Sequence, residues 1–326
     1  MQRNVVIWII ALVLVAVVSF AGTALYIGAT SKEKLVVSTT TSLYDTELLD
    51  TIEDRFEAKY STDVYFISVG TGLAIKHAQR GDADMILVHA PSKELSFLEG
   101  GYGVCRKIVA YNFFAIVGPE VDPANIKDLS PIQALSNVVE TGRNEGARWV
   151  SRGDDSGTHI KEKGLWTAAG FNWTAIRNEK WYVEAGAGMG KTLQVTDNYL
   201  DAYTLADMGT YLKYYKDGII SLEALVTKGE ELLNVYSAIA GNQTKHSGIN
   251  FDGAITFIKF LISEEGQKII ANFGKEAYGQ SLFYPAVDLL KHNTDPTMVQ
   301  WIKNYAFFDG YECSPEYRDK HPELYT

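Results

Sequence analysis

Along this chain, short apolar runs repeatedly end in hydroxyl or glycine residues and give way at once to helical periodicity. Leu35, Val36 and Val37 run into Ser38 to Ser42, after which Leu48, Leu49, Ile52 and Phe56 recur at helical spacing and predict a helix over about 44–58. Residues 64–69 alternate as a strand, reach Gly70-Thr71-Gly72, and lead into a helix at 74–79. Residues 85–88 and 109–117 read as buried strands. Further strands are expected near 181–183 and 203–205. Strand and helix in alternation predict an α/β architecture, a mixed, mainly parallel sheet with helices on both faces.

The junction that carries most chemistry is S-R-G-D-D-S-G-T-H, residues 151–159, between the run ending in Trp149-Val150 and a helix over 160–169 closed by Gly170. Ser156, Gly157 and Thr158 can present successive N–H groups at the start of that helix, where unpaired donors and the macrodipole favour an anion. Arg152 adds a planar guanidinium suited to a tetrahedral oxyanion, and Asp154 is placed to hold that guanidinium in one rotamer. Taken alone, the same residues also fit an ordinary N-cap with a surface ion pair. The T-T-T-S stretch at 39–42 has the same two readings.

Length and composition narrow the alternatives. The 326 residues suffice for two domains, and 46% hydrophobic with 21% charged residues is the make-up of a globular chain. A net charge of −10 argues against nucleic acid as a partner. Residues 5–27 form a nearly uncharged run of bilayer length after Arg3, which reads as a retained N-terminal hydrophobic helix or, since small residues occupy 21–24, as a cleaved signal peptide. Either reading makes the remainder extracytoplasmic. Cys105 and Cys313 permit one disulfide and exclude a Cys-rich metal site. Asn172-Trp-Thr174 and Asn242-Gln-Thr244 are glycosylation sequons.

Several features invite other chemistry. A-G-A-G-M-G-K-T at 185–192 fits a relaxed phosphate-loop pattern, but no later apolar strand ends in an acidic metal ligand as an NTPase would require. The loop still offers a third helix N-terminus, at Gly188 and Met189. His89 reads as a structural histidine, with no second metal-type residue at a fitting spacing. Ser156 near His159 suggests a nucleophile and base, yet neither a nucleophile elbow nor a third orienting group accompanies them.

Taken together, T-T-T-S at 39–42, V-G-T-G at 69–72, G-D-A-D-M-I-L-V-H-A-P at 81–91, Y-N-F-F-A-I-V-G-P at 111–119, the 151–159 stretch, E-A-G-A-G-M at 184–189 and A-Y-T-L-A-D-M-G-T-Y at 202–211 resemble the tungstate-binding component of Tup-type ABC importers. The resemblance spans roughly residues 35–285 in order. It implies a two-lobed type II periplasmic-binding-protein fold, with residues 31–118 and 236–326 as one lobe and 119–235 as the other, after a segment at 1–30 that anchors or exports the chain. It further implies a monomeric binding protein, not an enzyme, that needs no cofactor and hands tungstate or molybdate to a membrane permease. Carried over, Thr40, Thr41, Ser42 and Thr71 would be the donors of one lobe, and Arg152, Ser156, Gly157 and Thr158 those of the other. Gly188 and Met189 would be secondary candidates. The anion would be held through its oxygens, without protein–metal ligation. Lys191, Cys105 and the segment after Pro285 depart from the family pattern.

The loop R-x-D-x-S-G-T, residues 152–158, also looks like that of phosphate-binding proteins, so a phosphate- or sulfate-type ligand is the alternative. Protonated phosphate needs a carboxylate acceptor. If Asp154 is tied to Arg152, only Asp45 or Asp155 is near in sequence to serve.

Overall fold

The structure, a computed structural model, describes residues 32–325. The hydrophobic run at 5–27, with the anchor and signal readings attached to it, lies outside the described residues. Among the described residues no helix is long and apolar enough to cross a membrane.

In chain order the elements are β1 (Glu33–Thr40), α1 (Thr41–Tyr44), α2 (Leu48–Lys59), β2 (Thr62–Val69), α3 (Thr71–Arg80), β3 (Met85–Val88), α4 (Pro91–Glu99) and β4 (Gly103–Gly118). Then follow α5 (Pro131–Arg143), β5 (Arg148–Ser151), α6 (Gly157–Ala168), α7 (Trp173–Ile176), β6 (Tyr182–Glu184), α8 (Met189–Asp197), β7 (Ala202–Asp207), α9 (Met208–Lys216) and β8 (Glu223–Val226). The chain ends with β9 (Leu233–Gly241), α10 (Phe251–Ile262), α11 (Glu264–Asn272), α12 (Lys275–Tyr278), β10 (Tyr284–Pro285), α13 (Val287–His292) and α14 (Pro296–Ala306).

The strands hydrogen-bond in the order β2-β1-β3-β9-β4-β7-β5-β6, with β8 and β10 also on β4. Pairing is parallel for β1 with β2 and β3, and for β5 with β6 and β7. Every pairing of β4 or β9 is antiparallel. The sheet is therefore mixed, and the expected parallel dominance is confined to its two outer groups of strands.

β4 organises the whole. From Gly103 to Phe113 it pairs with β9, and from Phe114 to Val117 with β7. The chain comes back from β8 to the opening of β9 opposite Phe113 through residues 227–232, which include a 3-10 turn at Glu230–Leu232. Each side has its own apolar core. Phe56, Phe257 and Phe260 pack edge to face beside β1 and β9, whereas Trp149, Trp166 and Trp181 pack beside β5 and β7.

Two local departures from the sequence expectation have clear causes. The helix expected over 44–58 is split into α1 and α2. The Thr46 hydroxyl donates to the Leu43 carbonyl at 2.7 Å and accepts from the Leu48 N–H at 3.4 Å, and Glu47 sits at φ 68°. A side chain thus takes the bonds a continuous helix would have made. β4 also starts six residues earlier than the apolar run at 109–117 indicated, because Arg106 and Lys107 lie inside the strand. Arg106 is fully buried, with its Nε donating to Glu94 at 2.8 Å, and Lys107 pairs with Glu312 at 2.8 Å. Cys105, at φ 56°, sits where the β4–β9 register shifts.

The last residues pack across this basic stretch. Cys105 donates its S–H to the Arg318 carbonyl, the Tyr325 hydroxyl donates to the Arg106 carbonyl at 3.0 Å, and Leu324 is buried in the core beside β9. Cys105 and Cys313 are buried free thiols, so the disulfide that the count of two permits is not formed.

Candidate functional site

Four strand-to-helix junctions meet at the C-terminal ends of β1, β2, β5 and β6. Thr40 caps α1, its hydroxyl accepting from the Leu43 N–H at 3.4 Å. Gly70 precedes α3, and Ser156 caps α6 by accepting from the His159 N–H at 3.2 Å. Gly188 precedes α8. The strands within each outer group are parallel, and the β5–β6 group runs against the β1–β2 group across β4 and β9, so the helix starts of one group are directed toward those of the other.

Contacts between the junctions are direct. Arg152 Nη2 donates to Thr41 Oγ1 at 3.0 Å and to Asp154 Oδ2 at 2.5 Å. Asp154 in turn accepts from the Ser156 N–H at 3.2 Å, which locks the guanidinium to its own loop as the sequence suggests. A Cβ on Gly70 would lie 3.3 Å from the Asp154 carbonyl oxygen, and one on Gly188 would lie 3.6 Å from Thr41 Oγ1. A Cβ on Gly157 would come within 2.5 Å of His89 Nε2, so only glycine permits that approach.

Donors are left over where these residues converge. Arg152 is 1% exposed, yet its Nε and Nη1 have no hydrogen-bond partner, and the buried hydroxyls of Thr71 and Thr158 have none either. Buried donors of this kind are rare in folded proteins because each leaves its desolvation uncompensated. An unpartnered guanidinium edge and two unpartnered hydroxyls at neighbouring helix starts are complementary in kind to an anion with several oxygens.

Sequence reasoning did not anticipate the layer behind these donors. Asn234 donates its Nδ2–H to Asn112 Oδ1 at 2.9 Å and to the Tyr236 hydroxyl at 3.0 Å, so its Oδ1 is the acceptor facing His89 Nδ1 at 2.7 Å. That fixes the proton on Nδ1 and turns Nε2, as an acceptor, toward the Ser42 hydroxyl at 3.4 Å. His89 stacks on Tyr236 with ring centroids 4.9 Å apart, and burial lowers its pKa to about 4. It is thus the structural histidine expected, though it supports Ser42. On the other side Asp207 accepts from the Thr210 N–H and hydroxyl at α9, and burial pushes its carboxyl up to about 6. Thr210 Oγ1 also lies 3.1 Å from the Ser42 carbonyl. These partners are 145 and 168 positions from theirs in sequence, which is why spacing alone gave no signal.

The remaining carboxylates and candidate bases fall into place. Asp155 pairs with Lys93 across the junction at 2.5 Å and with Lys163 at 3.5 Å. Asp45 is half-buried, and desolvation raises its pKa against the opposing pull of Arg152 and Lys213. His159 Nδ1 accepts from the Asp155 N–H at 3.0 Å while Ser156 Oγ accepts from the backbone of His159, so no ring nitrogen bonds the Ser156 hydroxyl and the nucleophile-base reading has no geometric support. Lys191 is exposed on α8, and Met189 is buried in the core with Leu193 and Ala206.

Comparison with known proteins agrees with this arrangement. A family described as a PBP superfamily domain matches residues 26–265. A curated anion-binding protein, putatively of an ABC transporter, from Haloferax volcanii is 44% identical over 262 residues, 79% of this chain and 73% of its own length. The tungstate-binding protein TupA of Peptoclostridium acidaminophilum is 39% identical over 258 residues, 78% of this chain and 86% of its own. Among solved structures, the TupA protein of Desulfovibrio alaskensis G20 superposes with a TM-score of 0.65 at 36% identity, covering 78% of this chain and 98% of its own. A tungstate ABC transporter structure from Geobacter sulfurreducens gives 0.66 at 41% identity, covering 74% and 99%. The chain belongs to the PBP superfamily and, within it, to the family of the TupA binding proteins.

Proposed function

We propose that this chain is the extracytoplasmic solute-binding component of an ABC importer and that it captures tungstate, or the nearly isosteric molybdate, at the meeting of the four junctions. The single observation that carries the reading is Arg152: a buried guanidinium held through Nη2 by Asp154 and Thr41, with its Nε and Nη1 left unpartnered, as are the buried hydroxyls of Thr71 and Thr158 at neighbouring helix starts. A dianion that sheds its hydration needs fixed donors in place of water. The backbone N–H groups of Ser42, Gly157, Thr158 and Met189 and the hydroxyls of Thr40, Thr41 and Ser156 complete the set in this reading, while the Ser42 hydroxyl is turned to His89.

The chain works as two lobes, hinged where β4 changes partner after Phe113 and where residues 227–232 return, which lies a few residues before each of the boundaries expected at 118 and 236. Donors divided between lobes bind fully only when the lobes meet, so the anion shifts the open-closed balance by its differential affinity for the closed form. The rim pairs Lys93–Asp155 and Lys213–Glu47 favour the same closure modestly, being solvent-exposed. A monomer suffices, and a membrane permease would distinguish closed from open protein.

Phosphate is the second reading, and Asp45 is the observation that favours it, since it faces Arg152 while Asp154 and Asp155 are both engaged. Competition calorimetry with tungstate, molybdate, sulfate and phosphate tests the assignment. Tungstate and molybdate should bind at micromolar concentration or tighter, with the other two weaker by a hundredfold or more. Tighter phosphate binding would replace the assignment, and no heat from any of the four would end it.

A further inference from the structure

Beside the Gly157–His89 contact lies a cavity of about 320 Å³ that both residues line but none of the side chains assigned to the anion enters. Its walls come from both sides of β4: Ala90 and Pro91 at the start of α4, Ile160 and Leu165 on α6, and Tyr305 on α14, with Glu231 at its edge. These surfaces are mostly apolar. The exception is Lys161, which is only 9% exposed, lines the cavity and makes no hydrogen bond or ion pair among the described residues. Its ammonium instead lies 3.9 Å from the centroid of the Tyr305 ring and 5.9 Å from that of Phe114.

We propose that this cavity is a second ligand site, for a small monocarboxylate with an apolar body. Stacking over Tyr305 replaces only part of the hydration that Lys161 loses on this largely apolar wall, so an anion beside it would be favourable. One ammonium on the α6 side and the Ser92 hydroxyl on the α4 side suit a single carboxylate, whereas an inorganic dianion would keep most of its oxygens unmatched against Ile160, Leu165 and Ala168. The volume lies at the low end of small-molecule pockets and admits a single ring or a short branched chain. Desolvation lowers the Lys161 pKa to about 7, with Glu231 at the cavity edge and Glu230 beside it opposing that shift, and His89 and Tyr305 are the other titratable groups lining the cavity. A bound carboxylate would restore the charged ammonium.

Because the cavity touches α4 on one side and α6 on the other, its occupant would also stabilise their present approach. The inference does not rest on the oxyanion reading, since of the residues assigned to the anion Gly157 alone lines the cavity.

Titration of the full chain with benzoate and 3-methylbutyrate, followed by calorimetry and thermal melting, tests it. Both acids should bind saturably and raise the melting temperature, and benzyl alcohol, the neutral analogue, should bind at least tenfold more weakly than benzoate. Lys161→Met should weaken benzoate tenfold or more. Gly164→Leu should do the same from a second position: a Cβ there meets nothing within 4 Å, so leucine enters the cavity while strengthening the helix. Benzoate should remain bound at saturating tungstate. Failure of both acids to bind, equal binding of benzyl alcohol, retention of affinity in both variants, or displacement by stoichiometric tungstate would each overturn the proposal.

Discussion

Arg152 donates a hydrogen bond to Thr41 at 3.0 Å across 111 positions of sequence, and this bond joins the two sides of β4 at the point where the buried donors converge. The same Nη2 also bonds Asp154, so one nitrogen is spent on positioning and the other edge of the guanidinium is left for a ligand.

Replacing Arg152 therefore separates charge from geometry. Arg152→Lys keeps a cation but loses the planar fork, and oxyanion affinity should fall by about two orders of magnitude, or ~3 kcal/mol. Arg152→Ala should remove measurable binding. Asp154→Asn, which leaves the fork in place but loosens its anchor, should cost only about tenfold. Calorimetry on the three variants orders them, and an Asp154→Asn loss equal to that of Arg152→Ala would show that Asp154 does more than position the guanidinium.

The approach of Gly157 to His89 makes a second prediction. Alanine at 157 puts a methyl group 2.5 Å from the imidazole Nε2, closer than real carbon atoms approach, so α6 must retreat from β3. Gly157→Ala should weaken the anion by tenfold or more, and His89→Ala should recover part of that loss when combined with it. A double-mutant cycle with a coupling energy of about 1 kcal/mol or more confirms that the two effects share one contact, whereas strict additivity would place the damage elsewhere.

Glu94 and Arg106 form an ion pair with both side chains fully buried, completed by the Ala90 N–H on Glu94 and the Glu312 carbonyl on Arg106. Breaking one partner strands a buried charge, so Glu94→Leu or Arg106→Met alone should destabilise by about 3–5 kcal/mol, while the double variant should lose less than either single one. Removing residues 307–325 should act in the same direction, because Glu312 and the Tyr325 contact leave together. Urea denaturation midpoints measure all four, and a truncated chain as stable as the whole would show that the tail lies on β4 without supporting it.

How far the sequence foretold this follows from where each partner sits. Arg152, Asp154 and Ser156 lie within five residues, and their mutual bonds could be anticipated from the loop itself. The strand-to-helix junctions were also legible, since each follows an apolar run that ends in hydroxyl or glycine residues, although the helices at Thr41, Thr71 and Gly157 begin three residues before the expected 44, 74 and 160. The Asn234–His89–Ser42 chain and the Thr210–Ser42 link were not, because their members belong to strands and helices that meet only after the sheet is assembled. The first half of β4 was hidden for a related reason: Arg106 and Lys107 break the apolar pattern, and the carboxylates that compensate them come from α4 and from Glu312. Burial of charge against a distant partner leaves no local periodicity to read.

His89 also sets a pH dependence whose sign can be worked out. In the unfolded chain its pKa is about 6.5, but burial beside Asn234 and Tyr236, with Arg152 and Lys161 nearby, lowers it to about 4 in the fold. Between those values the unfolded state holds a proton that the folded state refuses, so the contribution of His89 to stability is whole above pH 6.5 and drains away as pH falls toward 4. Asp207 opposes this, since its raised carboxyl takes up a proton near pH 6 in the fold and only near 3.8 when unfolded. Comparing wild type with His89→Gln cancels Asp207 and every other group common to both. The stability of wild type should fall more steeply than that of the variant between pH 6.5 and 4, by up to about 1.4 kcal/mol per pH unit, the slope of one proton. Denaturant unfolding at half-unit pH steps gives both curves. Parallel curves would mean that the imidazole is protonated in the folded protein, and the acceptor role of Nε2 toward Ser42 would fall with it.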